Sequence, residues 1–225
     1  MTDPTTHFGF RQVPEGEKAR AYLAMRGFDG HTVQRFGFGY APEGRQAMKA
    51  GLKDVPEAKL IEGGLRIAVE DKEPYDRFRG RLMLPIEDAR GRVIAFGGRI
   101  LDAAKTDAPK YLNSPESDIY HKSNVLYGLF HAKKAIRDND NCYLVEGYAD
   151  VLSVHQAHIE NVVASSGTSL TIEQIRLIGR FTQNVTILYD GDAAGIKASL
   201  RGLDMILEEG LNVKVVSFPE GDDPD

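Results

Sequence analysis

Asp190 and Asp192 are separated by a single glycine, Glu146 stands 44 positions before Asp190, and Gly221-Asp-Asp-Pro-Asp225 adds Asp223 and Asp225 further on. Gathered carboxylates repel one another unless a cation neutralises them, and oxygen-rich sites that also hold phosphates suit magnesium or manganese. Gly191 lets the backbone turn sharply enough for both neighbouring aspartates to face one ion. Glu146 is open to two roles, metal ligand or general acid/base.

A second set of residues is cationic. Arg79, Arg81 and Arg99 border two apolar runs, Lys110, Tyr111 and Asn113 fall together in Pro109-Lys-Tyr-Leu-Asn-Ser-Pro115, and Lys122 follows in a similar polar setting. Such groups hold phosphates, while the tyrosine and asparagine can stack on bases or hydrogen-bond to them. The formal net charge of −5 argues against a nucleic-acid partner only until its distribution is counted. From Arg77 to Arg137 there are twelve Lys/Arg against six Asp/Glu; from Cys142 to Asp225 there are five against thirteen. One stretch suits phosphates and the other divalent cations. For any one arginine the plain alternative is a surface ion pair, and for Tyr111 a packed loop aromatic; their grouping favours function.

Other chemistries are set aside by what is missing. Cys142 is the only cysteine, so neither a disulfide framework nor a zinc ribbon can form here, and no zinc is expected on this stretch. His155 and His158 lie three apart without a Cys or carboxylate partner at ligand spacing. No Gly-x-x-x-x-Gly-Lys-Ser/Thr occurs, and Gly37-x-Gly39 lacks the third glycine of a dinucleotide site. Gly167-Thr-Ser169-Leu-Thr171 lacks the closing glycine of a nucleophile elbow and reads as a polar loop capping a helix near Ile172. No apolar run approaches the roughly 20 residues that cross a bilayer. The first residues also lack the basic and apolar segments of a secretory signal, so the expectation is a cytoplasmic protein with no membrane partner.

The acidic residues need elements that bring them together, and the last 85 or so residues supply them. Tyr143 to Val145 reads as a strand, Tyr148 to His158 as a helix, Asn161 to Ala164 as a strand and Thr171 to Phe181 as a helix. Val185 to Tyr189 reads as a strand, Ala193 to Glu209 as a helix closed by Gly210, and Val213 to Phe218 as a final strand. This alternation implies a parallel α/β sheet, whose ligands bind beyond the carboxyl ends of the strands. Glu146, Asp190 with Asp192, and the 222–225 acids follow three of its four strands. A single acid in that place is commonly a helix N-cap, a part that suits Asp192, but three acidic strand ends point further. Upstream, residues 1 to about 75 hold a helix from Glu17 to Arg26 closed by Gly27, a turn in Phe36-Gly-Phe-Gly-Tyr-Ala-Pro, and more helix. Arg79 to Ile86 and Val93 to Arg99 form a hairpin over Ala89-Arg-Gly-Arg, and Pro109 to Pro115 is an irregular loop.

Together these segments resemble the bacterial DnaG-type primases. Val145-Glu-Gly-Tyr-Ala-Asp150 and Tyr189-Asp-Gly-Asp-Ala-Ala-Gly195 resemble the two main motifs of the Toprim domain, and Gly221-Asp-Asp-Pro-Asp225 is similar to the third acidic motif of primases. Arg79-Gly-Arg-Leu-Met-Leu-Pro-Ile, Phe96-Gly-Gly-Arg99 and Pro109-Lys-Tyr-Leu-Asn-Ser-Pro115 resemble the basic motif that precedes Toprim there. His121-Lys122 and Leu126-Tyr-Gly-Leu129 continue the likeness. The resemblance implies a mixed α+β subdomain over 1–140 followed by a Toprim-type α/β catalytic subdomain over 141–225, incomplete at its carboxyl end. The family also carries a zinc-binding domain before this region and a helicase-binding domain after it, so the expectation is a core truncated at both ends.

The resemblance implies template-directed RNA primer synthesis on single-stranded DNA from ribonucleoside triphosphates. Glu146 matches the catalytic glutamate, while Asp190, Asp192, Asp223 and Asp225 match the positions that bind magnesium or manganese. Arg79, Arg81, Arg99, Lys110, Tyr111, Asn113 and Lys122 would hold template or nucleotide. Contact with the replicative helicase is expected only through the domain outside this sequence. One rival keeps Toprim and changes the reaction to phosphodiester cleavage, as in topoisomerases and nucleases. Another is a haloacid-dehalogenase-type phosphohydrolase, which expects Thr or Val where Ala194 stands. A third is a non-catalytic module that binds metal and DNA.

Overall fold

The computed structural model describes residues 16–102, 108–166, 169–216 and 218–219. They divide into two compact units, one of residues 1–86 with 93–119 and the other of 87–92 with 120–225.

The first unit opens with α1 (Glu17–Met25), which ends where Gly27 takes the left-handed conformation at φ 73°. Asp29 caps α2 (Gly30–Arg35), its Oδ1 accepting from the Thr32 amide at 2.7 Å. Then follow β1 (Gly39–Ala41), α3 (Ala47–Gly51), α4 (Glu57–Glu62), β2 (Arg66–Val69) and β3 (Lys72–Asp76). The pair β2–β3 forms its own antiparallel ribbon, anchored by Arg66. The Arg66 guanidinium is fully buried, pairs with Glu57 and Asp76, and donates to Gln46 and to the Pro74 carbonyl. The second sheet runs β1-β4-β5-β6, with β4 (Arg81–Glu87), β5 (Val93–Ile100) and β6 (Tyr111–Asn113).

The expected hairpin is therefore present, but Tyr111 to Asn113 is a strand rather than a loop. Three residues between two prolines carry little strand signal of their own; pairing Gly97, Gly98 and Arg99 with Asn113, Leu112 and Tyr111 makes the strand. Likewise Gly39 to Ala41, read as part of a turn, pairs antiparallel with β4.

In the second unit come α5 (Leu129–Asp138), β7 (Cys142–Val145), α6 (Tyr148–Gln156), β8 (Val162–Ala164), α7 (Ile172–Ile178), β9 (Asn184–Leu188), α8 (Ala193–Glu208) and β10 (Asn212–Val216). The four strands are parallel in the order β10-β9-β7-β8; they and α6, α7 and α8 lie within a few residues of the spans read from sequence, while α5 is a helix that sequence reasoning missed. Their core joins Leu144, Val163 and Ile187 to Ile136 of α5, Ile178 of α7 and Ile206 of α8. α5 buries its apolar side in that core, and residues 87–92 group with this unit. No helix among the described residues is long and apolar enough to cross a membrane.

Candidate functional site

The carboxyl ends of the parallel strands carry the acids expected of them. Glu146 is the first residue after β7, and Asp190 and Asp192 follow β9. Glu146 is half-buried, and its Oε1 is buried with no hydrogen-bond partner among the described residues. Its carboxyl is held above the usual range, first by burial and then by the negative charges of Asp190, Asp150 and Asp192. Asp150 is otherwise engaged, its Oδ2 accepting from the Gly147 amide at 2.7 Å at the start of α6. Asp192 does cap α8, accepting from the Gly195 amide at 2.7 Å through Oδ1. Asp223 and Asp225 lie outside the described residues.

Glycines fix the close approaches here. A Cβ on Gly195 would fall 2.2 Å from the Asp190 carbonyl oxygen, and one on Gly191 would fall 2.5 Å from that of Pro219. Gly191 thus serves contact with the chain leaving β10; its φ is not in the left-handed range. Beside Glu146 opens a cavity of about 310 Å³ lined by Ser165, Ser169, Tyr189 and Arg201. The Tyr189 hydroxyl there is pushed up by burial and by Glu146, against a hydrogen bond with Ser165.

Among the described residues no three His, Cys, Asp or Glu side chains are grouped to hold a metal ion. The donors present nevertheless fit a hard divalent cation: all are carboxylate oxygens, the charges of the aspartates disfavour ionisation of Glu146, and Glu146 Oε1 is orphaned.

Two of the cationic residues, Arg99 and Arg81, lie on strands of one antiparallel sheet and take opposite faces. Arg99 and Tyr111 are paired across β5 and β6, and Asn113 pairs with Gly97, so all three side chains share a face. The Arg99 guanidinium donates to the Tyr111 hydroxyl at 2.5 Å and lies 4.8 Å from the Tyr22 ring centre. Arg81 goes the other way. It is 4% exposed, crosses Gly98, and its Nη1 donates to the carbonyls of Gly98, Pro109 and Lys110 at 2.9, 3.0 and 3.4 Å. Its position is a buried anchor for β5 and the segment entering β6, not the exposed phosphate grip that the motif suggested. Burial lowers its pKa, with Arg79 adding repulsion.

Arg79 and Lys110 are exposed. The Arg79 guanidinium shares the Tyr75 ring with Arg45, at 4.8 and 4.6 Å, a grouping that sequence reasoning missed. Lys122 sits in a short 3-10 turn of the second unit. Buried Gln174 holds that turn through the carbonyls of Lys122 and Val125 at 3.3 and 2.8 Å, while Thr171 donates to the Ser123 carbonyl at 2.6 Å.

The model of the DNA primase catalytic core, N-terminal domain, matches residues 10–133, and a Toprim-like model matches 143–225. The chain belongs to the DnaG-type primase family. A DNA primase of Clostridium acetobutylicum is 44% identical over all of this chain and 37% of its own length. A solved DNA primase domain from Pseudomonas aeruginosa has TM-score 0.90 at 39% identity, over 98% of this chain and 70% of that one. A DnaG primase catalytic domain solved bound to single-stranded DNA has TM-score 0.87 at 41% identity, with the same two coverages. The chain thus spans about 37% of the length of the curated primases it matches.

Proposed function

We propose that this chain is the catalytic part of a DNA-directed RNA polymerase of primase type, which joins ribonucleoside triphosphates into short primers on a single-stranded DNA template. The observation that carries this reading is Glu146 just past the end of a parallel strand, its buried Oε1 without a hydrogen bond among the described residues and its carboxyl under the negative charge of Asp190, Asp150 and Asp192. Its support from relatives is the family likeness along nearly the whole chain, including a core solved with single-stranded DNA.

In the reaction a terminal 3′-hydroxyl attacks the α-phosphate of the incoming nucleotide and pyrophosphate leaves. Asp190 and Asp192, with Asp223 and Asp225 outside the described residues, would hold magnesium or manganese, which when bound offsets charge on the phosphates. Glu146, whose proton affinity is raised, is suited to accept the proton of the 3′-hydroxyl at Oε1. Arg79, Arg99 and Lys110 grip phosphates, Tyr111 and Asn113 meet bases or sugars, and Lys122 takes a nucleotide phosphate. Arg81 contributes by holding the carbonyls on which Lys110 and β5 are hung. Helicase contact in the whole protein is assigned to a region outside this sequence.

The test is labelled ribonucleotide incorporation on single-stranded DNA with and without magnesium or manganese. Metal-dependent RNA synthesis that Glu146→Ala and Asp190→Ala each lower by at least a hundredfold is expected. Metal-dependent DNA cutting without RNA synthesis would replace the reading with the hydrolytic rival.

A further inference from the structure

The Leu126-Tyr-Gly-Leu129 motif takes no part in the proposed chemistry, yet its tyrosine touches the end of β8 and the start of α6, the helix that follows Glu146. Tyr127 is 3% exposed. Its backbone forms an antiparallel bridge to Ala164, the last residue of β8, its amide donating at 2.9 Å and its carbonyl accepting at 3.1 Å. Its ring meets that of Tyr148 edge to face, with centres 4.7 Å apart and planes at 83°. Tyr148 is the first residue of α6, two places after Glu146. From the β8 side, the Ser166 amide returns to the Glu146 carbonyl at 3.1 Å. Gly128 makes the approach possible. It stands at φ 82°, and a Cβ there would lie 2.9 Å from Val151 of α6 and 3.3 Å from the Val162 carbonyl of β8.

We infer that Tyr127 is a positioning residue, which sets the Glu146 turn against the end of β8 through its bridge to Ala164 and its ring contact with Tyr148. The inference rests on the polymerase reading for its consequence, though not for its geometry. Glu146 Oε1 is held by no hydrogen bond of its own among the described residues, so its direction depends on the backbone that carries it. A residue that fixes this backbone from two sides controls the chemical step while leaving substrate affinity alone.

The test compares Tyr127→Leu, Tyr127→Phe and Ile178→Ala, the last a core deletion in the same unit away from Glu146. Each is assayed for kcat, nucleotide KM, Tm, and hydrogen exchange at the Ser166 and Gly147 amides. Tyr127→Leu is expected to lower kcat about tenfold or more with KM within twofold, and to speed exchange at Ser166 beyond the change in Ile178→Ala. Tyr127→Phe, which keeps the ring, restores most of both. Should Tyr127→Leu not fold, Tyr148→Leu probes the same contact from its other side with the same expected split. A kcat loss no greater than that of Ile178→Ala at matched Tm, no advantage of Phe over Leu, or unchanged Ser166 exchange overturns the inference. A wild-type chain that makes no RNA sinks the polymerase reading instead, while the exchange arm still decides the geometric one.

Discussion

Arg79 and Arg81 stand two positions apart in one basic run and do different work. Arg81 is itself buried and donates to three carbonyls, that of Gly98 in a buried bond; Arg79 is exposed, stacked on Tyr75 and donating to one carbonyl, that of Asp76. Removing the first leaves a gap beneath Gly98 and three carbonyls without their donor, so Arg81→Ala is expected to cost about 3 kcal/mol of stability. Arg79→Ala should cost under about 0.5 kcal/mol, since surface groups contribute little to folding, yet weaken single-stranded DNA binding at moderate salt. Urea unfolding and fluorescence anisotropy on the same two variants check the split; equal stability losses would contradict it.

Glu146 carries a second residue-scale consequence, in the opposite sense from a salt-bridged acid. Its folded pKa is raised, so the folded state prefers it protonated. The cost of its charge is absent below the ordinary glutamate range and is fully present above the raised folded value. Glu146→Gln removes that cost, and the variant should melt above wild type at neutral and alkaline pH. The gap should close as the pH falls toward 4. Thermal melts across pH measure it directly, and magnesium should narrow the neutral-pH gap by stabilising wild type more than the variant.

At the scale of elements, the parallel sheet was legible because its strands and helices alternate with clear periods and each stop carries its own glycine or cap. Thr171, expected to cap the helix near Ile172, does so with Gln174 in return. What could not be read depended on partners far off in sequence. Tyr111 to Asn113 becomes a strand only through β5, Arg81 turns inward only because Gly98 leaves room, and Gln174 reaches Lys122 across 52 positions. The acids of the site were legible as residues, and so was the capping part of Asp192, but not the reason for the glycines between and after them. Gly195 is the sharpest case. Its missing side chain lets the first turn of α8 lie against the Asp190 carbonyl, at a distance no real Cβ tolerates. Gly195→Ala must therefore shift either α8 or the Asp190 loop. RNA synthesis should fall at least tenfold while DNA affinity stays within twofold, because the displaced backbone carries the acids and not the basic strands. Parallel loss of DNA affinity would point to a wider collapse.

At the scale of the whole molecule the question is how a chain of net charge −5 would hold the single-stranded DNA proposed as its template. The answer lies in segregation, since the 77–137 stretch is as strongly basic as the stretch after 142 is acidic. Binding should then follow the local cation count, with log Kd changing linearly with log salt and the slope falling by about 0.7 for each phosphate contact removed from a single strand. Arg79→Ala with Lys110→Ala is expected to lower the slope by about 1.4 on that basis. Asp190→Ala, which removes negative charge, should leave the slope unchanged and bind at least as tightly at low salt. Net charge acting as a whole predicts a different pattern, in which the aspartate variant gains affinity steeply as salt is lowered and the arginine and lysine variants merely offset it. Anisotropy titrations at four or five salt concentrations separate the two, because the local account ties each slope to a named contact and the global account ties it only to the sum.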